Sequence, residues 1–188
     1  MLIDERFYRP RVPIAVVAIG EAREALVIRA VLESLGATVL LHLIGTPEDF
    51  LRVLEQGDAA PRYIVICGHG DDHGIVFGAF DESIDVSALE RGSMPPRAIA
   101  ERANLPSRIV VSTACATGSG EFGRPFLNGG VAAYIAPEGY PDGGDAALFV
   151  HVLFHQMLQE GSSPGAALER VRAYEDRFAT FTMFADPH

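Results

Sequence analysis

The stretch IVVSTACATGSG, residues 109–120, decides the fold. A run of β-branched residues leads into Cys115, and small residues and glycines follow it. Such a run bounded by turn formers reads as a strand. Cys115 then stands at the carboxyl end of that strand, before a loop too small to cover it. A buried structural cysteine needs no such setting, whereas a nucleophile does. The chain holds only one other cysteine, Cys67.

Working outward, apolar runs recur at intervals. IAVVAIG after Pro13, TVLLHLIG, YIVICG and VAAYIA all read as buried parallel strands. IVFGAF, flanked by Gly and Asp, reads as a short hairpin strand. Between them lie helical patterns. EAREALVIRAVLESLG places Ala25, Ile28, Leu32 and Leu35 on one apolar face, with Gly36 as its C-terminal cap. TPED supplies a Thr46 cap, Pro47 at the first helical position and Asp49 to close a capping box, with the helix running to Gly57. SMPPRAIAERANLP reads as a short helix between prolines, and EFGRPFLNGG as a helix interrupted by Pro125. DAALFVHVLFHQMLQ is apolar nearly all round and should be mostly buried. SSPGAALERVRAYEDRF is a last helix capped by Ser163. The tail ATFTMFADPH carries no pattern.

Strands alternating with helices argue for right-handed βαβ units. The expected fold is α/β, a three-layer α/β/α sandwich with a mainly parallel central sheet. The chain of 188 residues, 48% hydrophobic, suits a single domain over residues 1–188 with its core at about 12–175. Sites in such sheets form beyond the carboxyl ends of the strands. Gly20-Glu21, His69-Gly70, Cys115 and Pro137-Glu138 all fall at that edge.

A net charge of −10 repels phosphate backbones and argues against nucleic acid as a partner. The charge otherwise reads as a solubility device. Two cysteines make no disulfide framework. MLIDERFYRPRVP lacks the apolar core of a signal peptide, and no stretch approaches the ~20 apolar residues of a membrane span. A cytoplasmic protein in a reducing compartment is expected. No G-x-G-x-x-G or Walker pattern is present, so no nucleotide and no other cofactor is expected.

A thiol attacks a carbonyl well only as a thiolate, so Cys115 needs a base. His69 ends one strand and Cys115 another, and neighbouring strands would aim both into one crevice. Backbone N–H groups at Gly70 and Cys115 would face a developing oxyanion. The small residues Gly68, Gly70, Ala114, Ala116, Gly118 and Gly120 leave room for a substrate backbone. His69 precedes Cys115 in the chain, as in caspases, whose signature is Q-A-C-[RQG]-G with the histidine about 50 residues upstream.

YIVICGHG and IVVSTACATG, with the continuation VAAYIAPEGYPDGGDAALFVHVLFHQMLQEGSSPGAALERVRAY, resemble the caspase-like clan of cysteine peptidases. Within that clan they look like the CHAT domains of bacteria. The resemblance covers roughly residues 12–175. It implies a cysteine endopeptidase with His69 as general base, Cys115 as nucleophile and Gly70 as the oxyanion amide. The chain reads TAC where caspases read QAC. Relatives that cut after basic residues carry an acidic residue two positions before the cysteine, where this chain has Thr113. Glu21, Thr113, Glu138 and Asp142 are the candidate substrate-binding residues. Glu138, Asp142 or Asp145 could line a specificity pocket, but solvated loop carboxylates and helix caps are the preferred reading.

Two function classes follow. One is a cysteine peptidase acting on a peptide or protein substrate. The other is a non-catalytic relative that binds a partner through the same crevice. A separate regulatory protein is expected if the activity is controlled, because the chain leaves no room for a sensor domain. The rival chemistry is zinc on Cys67, His69, His73 and Cys115, but their spacing matches no common zinc pattern, and no metal is expected. Cys67 reads as core, with a regulatory disulfide to Cys115 as the alternative. His73 and Asp71-Asp72 read as shaping the loop over the dyad. His42, His151 and His155 read as core or surface histidines.

Overall fold

A computed structural model describes residues 11–185. The leaderless start expected from MLIDERFYRPRVP falls mainly on residues 1–10, outside the described residues. A six-stranded sheet holds β1 (Val12–Ile19), β2 (Ala37–Ile44), β3 (Tyr63–Cys67), β7 (Ile109–Ser112), β8 (Ala133–Pro137) and β9 (Phe181–Phe184). Its strand order is β2-β1-β3-β7-β8-β9. All neighbours pair in parallel except β8 and β9. A second sheet is a small antiparallel ribbon of β4 (Gly70–Asp71), β5 (Gly74–Val76) and β6 (Ser93–Met94).

The strands are apolar on both faces because both faces are covered. Alternate residues divide between two clusters. Val16, Val65, Val111 and Ile135 point to one side, against α1 (Arg23–Ser34), α5 (Gly143–Leu158) and α6 (Pro164–Tyr174). Val17, Ile66, Val110 and Tyr134 point to the other, against α2 (Pro47–Leu54), α3 (Pro96–Arg102) and α4 (Gly120–Asn128). The α/β/α sandwich expected from the sequence is the fold observed.

Local sequence sets the helix ends. Thr46 and Asp49 form the capping box of α2, with Pro47 at its first position. The Ser163 hydroxyl accepts from the Ala166 amide at the start of α6. Gly36 closes α1 with φ +88°, a left-handed conformation that disfavours a side chain. The near-uniform apolarity of α5 has a direct cause: it packs on the sheet with α1 and α6 to either side. Ala146, Phe149, Val150, Leu153, Phe154 and Met157 are all buried there.

Three expectations change. Helix α4 runs through Pro125 rather than stopping there; Phe126 stacks on Tyr134 at 4.4 Å and holds the turn against the sheet. Helix α2 ends at Leu54, and the chain continues in a short 3₁₀ turn over Gly57–Ala59. The tail does hold structure, since β9 pairs antiparallel with β8 and Phe181 stacks on Phe149. Among the described residues, no helix is long and apolar enough to cross a membrane.

Candidate active site

Strands β3 and β7 are neighbours with Ile66 opposite Ser112. His69 and Cys115 each stand three residues beyond that pair, so the two strand ends carry them to the same edge of the sheet. Gly68 makes this possible on the β1 side: a methyl group there would sit 3.3 Å from the Ile19 carbonyl oxygen. Gly70 makes it possible on the β7 side. A Cβ at Gly70 would lie 2.0 Å from the Cys115 carbonyl oxygen and 3.0 Å from its amide nitrogen. Only a glycine lets the His69-Gly70 backbone run this close to the cysteine.

The turn after Cys115 is stiff. Ala116 adopts φ +58°, a left-handed conformation that costs an alanine about 1 kcal/mol or more. Hydrogen bonds hold it there. The Ala116 amide donates to the Gly139 carbonyl at 3.0 Å, and the Gly118 amide to Pro137 at 2.7 Å. The Thr117 hydroxyl donates to the Ala114 carbonyl at 2.7 Å, and buried Tyr134 donates to the Thr117 carbonyl at 3.1 Å. The thiol therefore stands on a braced turn, partly exposed. His69 is exposed beside it.

Burial pushes the Cys115 thiol above its ordinary value, and the Glu24 carboxylate adds to the push. A hydrogen bond from its own amide only partly offsets them. Cys115 thus rests as a neutral thiol at neutral pH, and a base must take its proton for it to attack. Cys67 is a different case. It is 1% exposed, and burial pushes its thiol far up. Both cysteines are free, and Cys67 is core.

The ribbon after His69 is built around Asp71. Its Oδ1 accepts from the amides of His73 and Gly74, at 2.8 and 2.9 Å, and its Oδ2 accepts from Ser93 Oγ at 2.9 Å. Burial raises its pKa, but these donors outweigh that and hold the carboxyl below its usual range. His73 lies against Arg91 at 3.2 Å. Tyr140, from the loop after β8, donates to Asp72 at 3.1 Å and so joins the two loops that flank the cysteine. Among the described residues, no three His, Cys, Asp or Glu side chains converge as metal ligands would.

The other candidates separate. Glu21 is exposed and ion-paired with Arg23 at 2.6 Å. Glu138 lines a groove with Leu168, Arg172 and Met183, on the α6 and β9 side. Asp142 is the first residue before α5, its carbonyl accepting from the Asp145 amide at 2.8 Å. Asp145 pairs with Arg177 at 2.9 Å. Thr113 is buried at 3% exposure, and its hydroxyl donates to Glu24.

Glu24 is the residue the sequence did not point to. It stands in the first turn of α1, after β1, yet it meets Thr113 at the end of β7. Since β3 lies between those strands, its carboxylate crosses the carboxyl end of β3, where His69 follows. Burial raises its pKa, while the Thr113 hydroxyl and the nearby His69 pull it partly back. A folded-state value above the unfolded one means that the ionised carboxylate costs stability as pH rises through it. Glu24→Gln is therefore expected to raise Tm at pH 7 by about 2–4 °C, the response of a chain this size to about 1 kcal/mol. The gain should shrink toward pH 4, where both states hold the proton. Thermal scans at the two pH values check this, and an unchanged Tm at pH 7 would remove the claim of a strained carboxylate.

No protein-family model matches the chain, and no curated protein matches it. Solved structures do. The separase–securin complex of Saccharomyces cerevisiae aligns at TM-score 0.58 with 13% identity, over 96% of this chain and 12% of that one. The RgpB gingipain of Porphyromonas gingivalis, in complex with its pro-domain, aligns at 0.59 with 13% identity, over 94% of this chain and 47% of that one. A secreted C11 cysteine protease of Bacteroides thetaiotaomicron, iotapain, aligns at 0.51 with 11% identity, over 94% and 67%. This chain therefore spans about an eighth of the separase chain and just under half of the gingipain chain. The fold is that of the caspase-like cysteine proteases.

Proposed function

We propose that this chain is a cysteine endopeptidase, related to the CHAT domains of bacteria, that works through His69 and Cys115. As Sγ attacks the substrate carbonyl, His69 takes the thiol proton, and the carbonyl oxygen gains charge beside the Gly70 and Cys115 amides. The C–N bond breaks as His69 returns that proton to the leaving amine. Water, with His69 again as base, then hydrolyses the thioester and restores the thiol. The observation that carries this reading is Gly70: the backbone beside His69 approaches the Cys115 backbone so closely that no larger residue fits. The raised thiol fits it too, because a cysteine that is neutral at rest needs a neighbouring base. The separase and gingipain structures, one bound to securin and the other to its pro-domain, favour protein substrates or regulators here as well.

The test is digestion of a proteome-derived peptide mixture, read by mass spectrometry of the new termini. Cleavage by the purified protein that disappears in Cys115→Ala, with an unchanged circular dichroism spectrum, is the expected result. Cleavage that persists in the variant contradicts the assignment, and none by either protein leaves the partner-binding class in its place.

A further inference from the structure

The six-stranded sheet ends on two unlike edges, β2 and β9. Native sheets blunt a free edge with short strands, charges, prolines or bulges. β9 follows that rule: it has four residues, and Arg172 Nε donates to its Phe181 carbonyl at 3.0 Å. β2 does not. It has eight residues, ATVLLHLI, without a charge or a proline. Its register with β1 runs unbroken from Ala37 to Ile44, so no bulge turns it aside. Among the described residues, only Arg11 reaches its backbone with a side chain, donating to the Ala37 carbonyl at 3.3 Å.

Both faces of this edge are apolar. Val39 and Leu41 pack on the α1 side and Ile44 on the α2 side. Alternation places Leu43 with the first pair and Leu40 with the second. Leu43 is 66% exposed and Leu40 43% exposed. Burial holds the His42 pKa below its ordinary value, so the whole strand is uncharged at pH 7.

A second copy of β2 fits this edge. Residues opposite each other in an antiparallel pair share a face. A two-fold axis normal to the sheet at Leu41 therefore sets Val39 against Leu43 on one face, and Leu40 against His42 on the other. Each pair holds a large apolar side chain, and no like charges meet. The flank of α1 above the edge is compatible too. Glu24 reaches Thr113 toward the middle of the sheet, so Leu26, Arg29 and Glu33 on the opposite flank lie on the β2 side. Leu26 is 50% exposed there, and Arg29 pairs with Glu33 at 2.9 Å. The chain's charge of −10 is thus not carried by this flank. An eight-residue ladder is about 26 Å long. With one leucine row on each face, it falls at the low end of interface sizes, about 1,000 Å².

We propose that two copies of this chain pair antiparallel through β2, joining their sheets into one. The dimer is weak, with a dissociation constant of about 10–100 μM. The contact uses the same patch on both copies, so it closes on itself.

Sedimentation equilibrium of the full chain tests this. The mass should rise from that of one chain toward that of two between about 1 and 500 μM. Leu43→Lys and Leu40→Lys place a charge on either face of the ladder. Each should weaken association at least about 10-fold, with an unchanged circular dichroism spectrum. Leu148→Lys, at a leucine 40% exposed on α5, is the control and should leave association unchanged. A single chain at every concentration overturns the proposal. So does a dimer that survives both edge variants, or one that Leu148→Lys weakens equally. A mass that grows past two chains overturns it as well, because a closed contact stops at two.

Discussion

Gly70→Ala is expected to lower the rate at which a peptidyl probe labels Cys115 by at least about 100-fold. The added methyl would have to stand 2.0 Å from the Cys115 carbonyl oxygen and 3.0 Å from its carbonyl carbon and amide nitrogen. These are backbone atoms, so no rotamer change relieves the clash. The Ala116 and Gly118 amides tie the cysteine turn to the loop after β8, and Asp71 ties the other side to the ribbon. The two strand ends must therefore part. A displacement of about 1 Å in a reacting geometry costs about 100-fold in rate, and overpacking of this kind destabilises by about 1–3 kcal/mol. Gly143→Ala is the matched control. Gly143 opens α5 with no atom within 4 Å of a Cβ placed on it, so labelling and Tm should stay within error. Labelling rates of the two variants beside the wild type check the prediction. A Gly70→Ala protein that labels normally would mean that the close approach does not matter to the thiol.

The parts of this site legible in the sequence are those with a local pattern. The apolar run before Cys115 and the one before His69 mark buried parallel strands, and chain order places a histidine before the cysteine. Such strands end at one edge of a sheet, so the convergence of the two residues follows from topology alone. Capping is equally local, which is why the Thr46 box and Ser163 are visible from four residues each. What was not legible depends on strand order. Glu24 lies in an ordinary helix start, and only the strand order, with β3 between β1 and β7, brings it across the end of β3 to Thr113. Glu21, nearer the strand end, stands exposed and paired with Arg23, where the helix begins. The two- and three-residue strands β4, β5 and β6 are too short for alternation to show. β9 owes its place to Phe181 stacking on Phe149, a contact between distant parts of the chain. The left-handed Ala116 breaks the local rule that would assign glycine there, and a hydrogen bond to the distant Gly139 carbonyl helps hold it.

The account rests on one claim above the others, that His69 activates Cys115. The thiol is pushed up by burial and by Glu24, so without a base it is almost wholly protonated at pH 7. General-base assistance contributes about 10²- to 10⁴-fold. The most direct measurement is the second-order rate of Cys115 labelling by a peptidyl acyloxymethyl ketone, compared between wild type and His69→Ala from pH 6 to pH 10. The account predicts a loss of about 100-fold or more at pH 7 in the variant. It also predicts that the variant's rate climbs steadily into the alkaline range as the thiol ionises unaided. Equal rates at pH 7 in the two proteins, with the same pH profile, would contradict it.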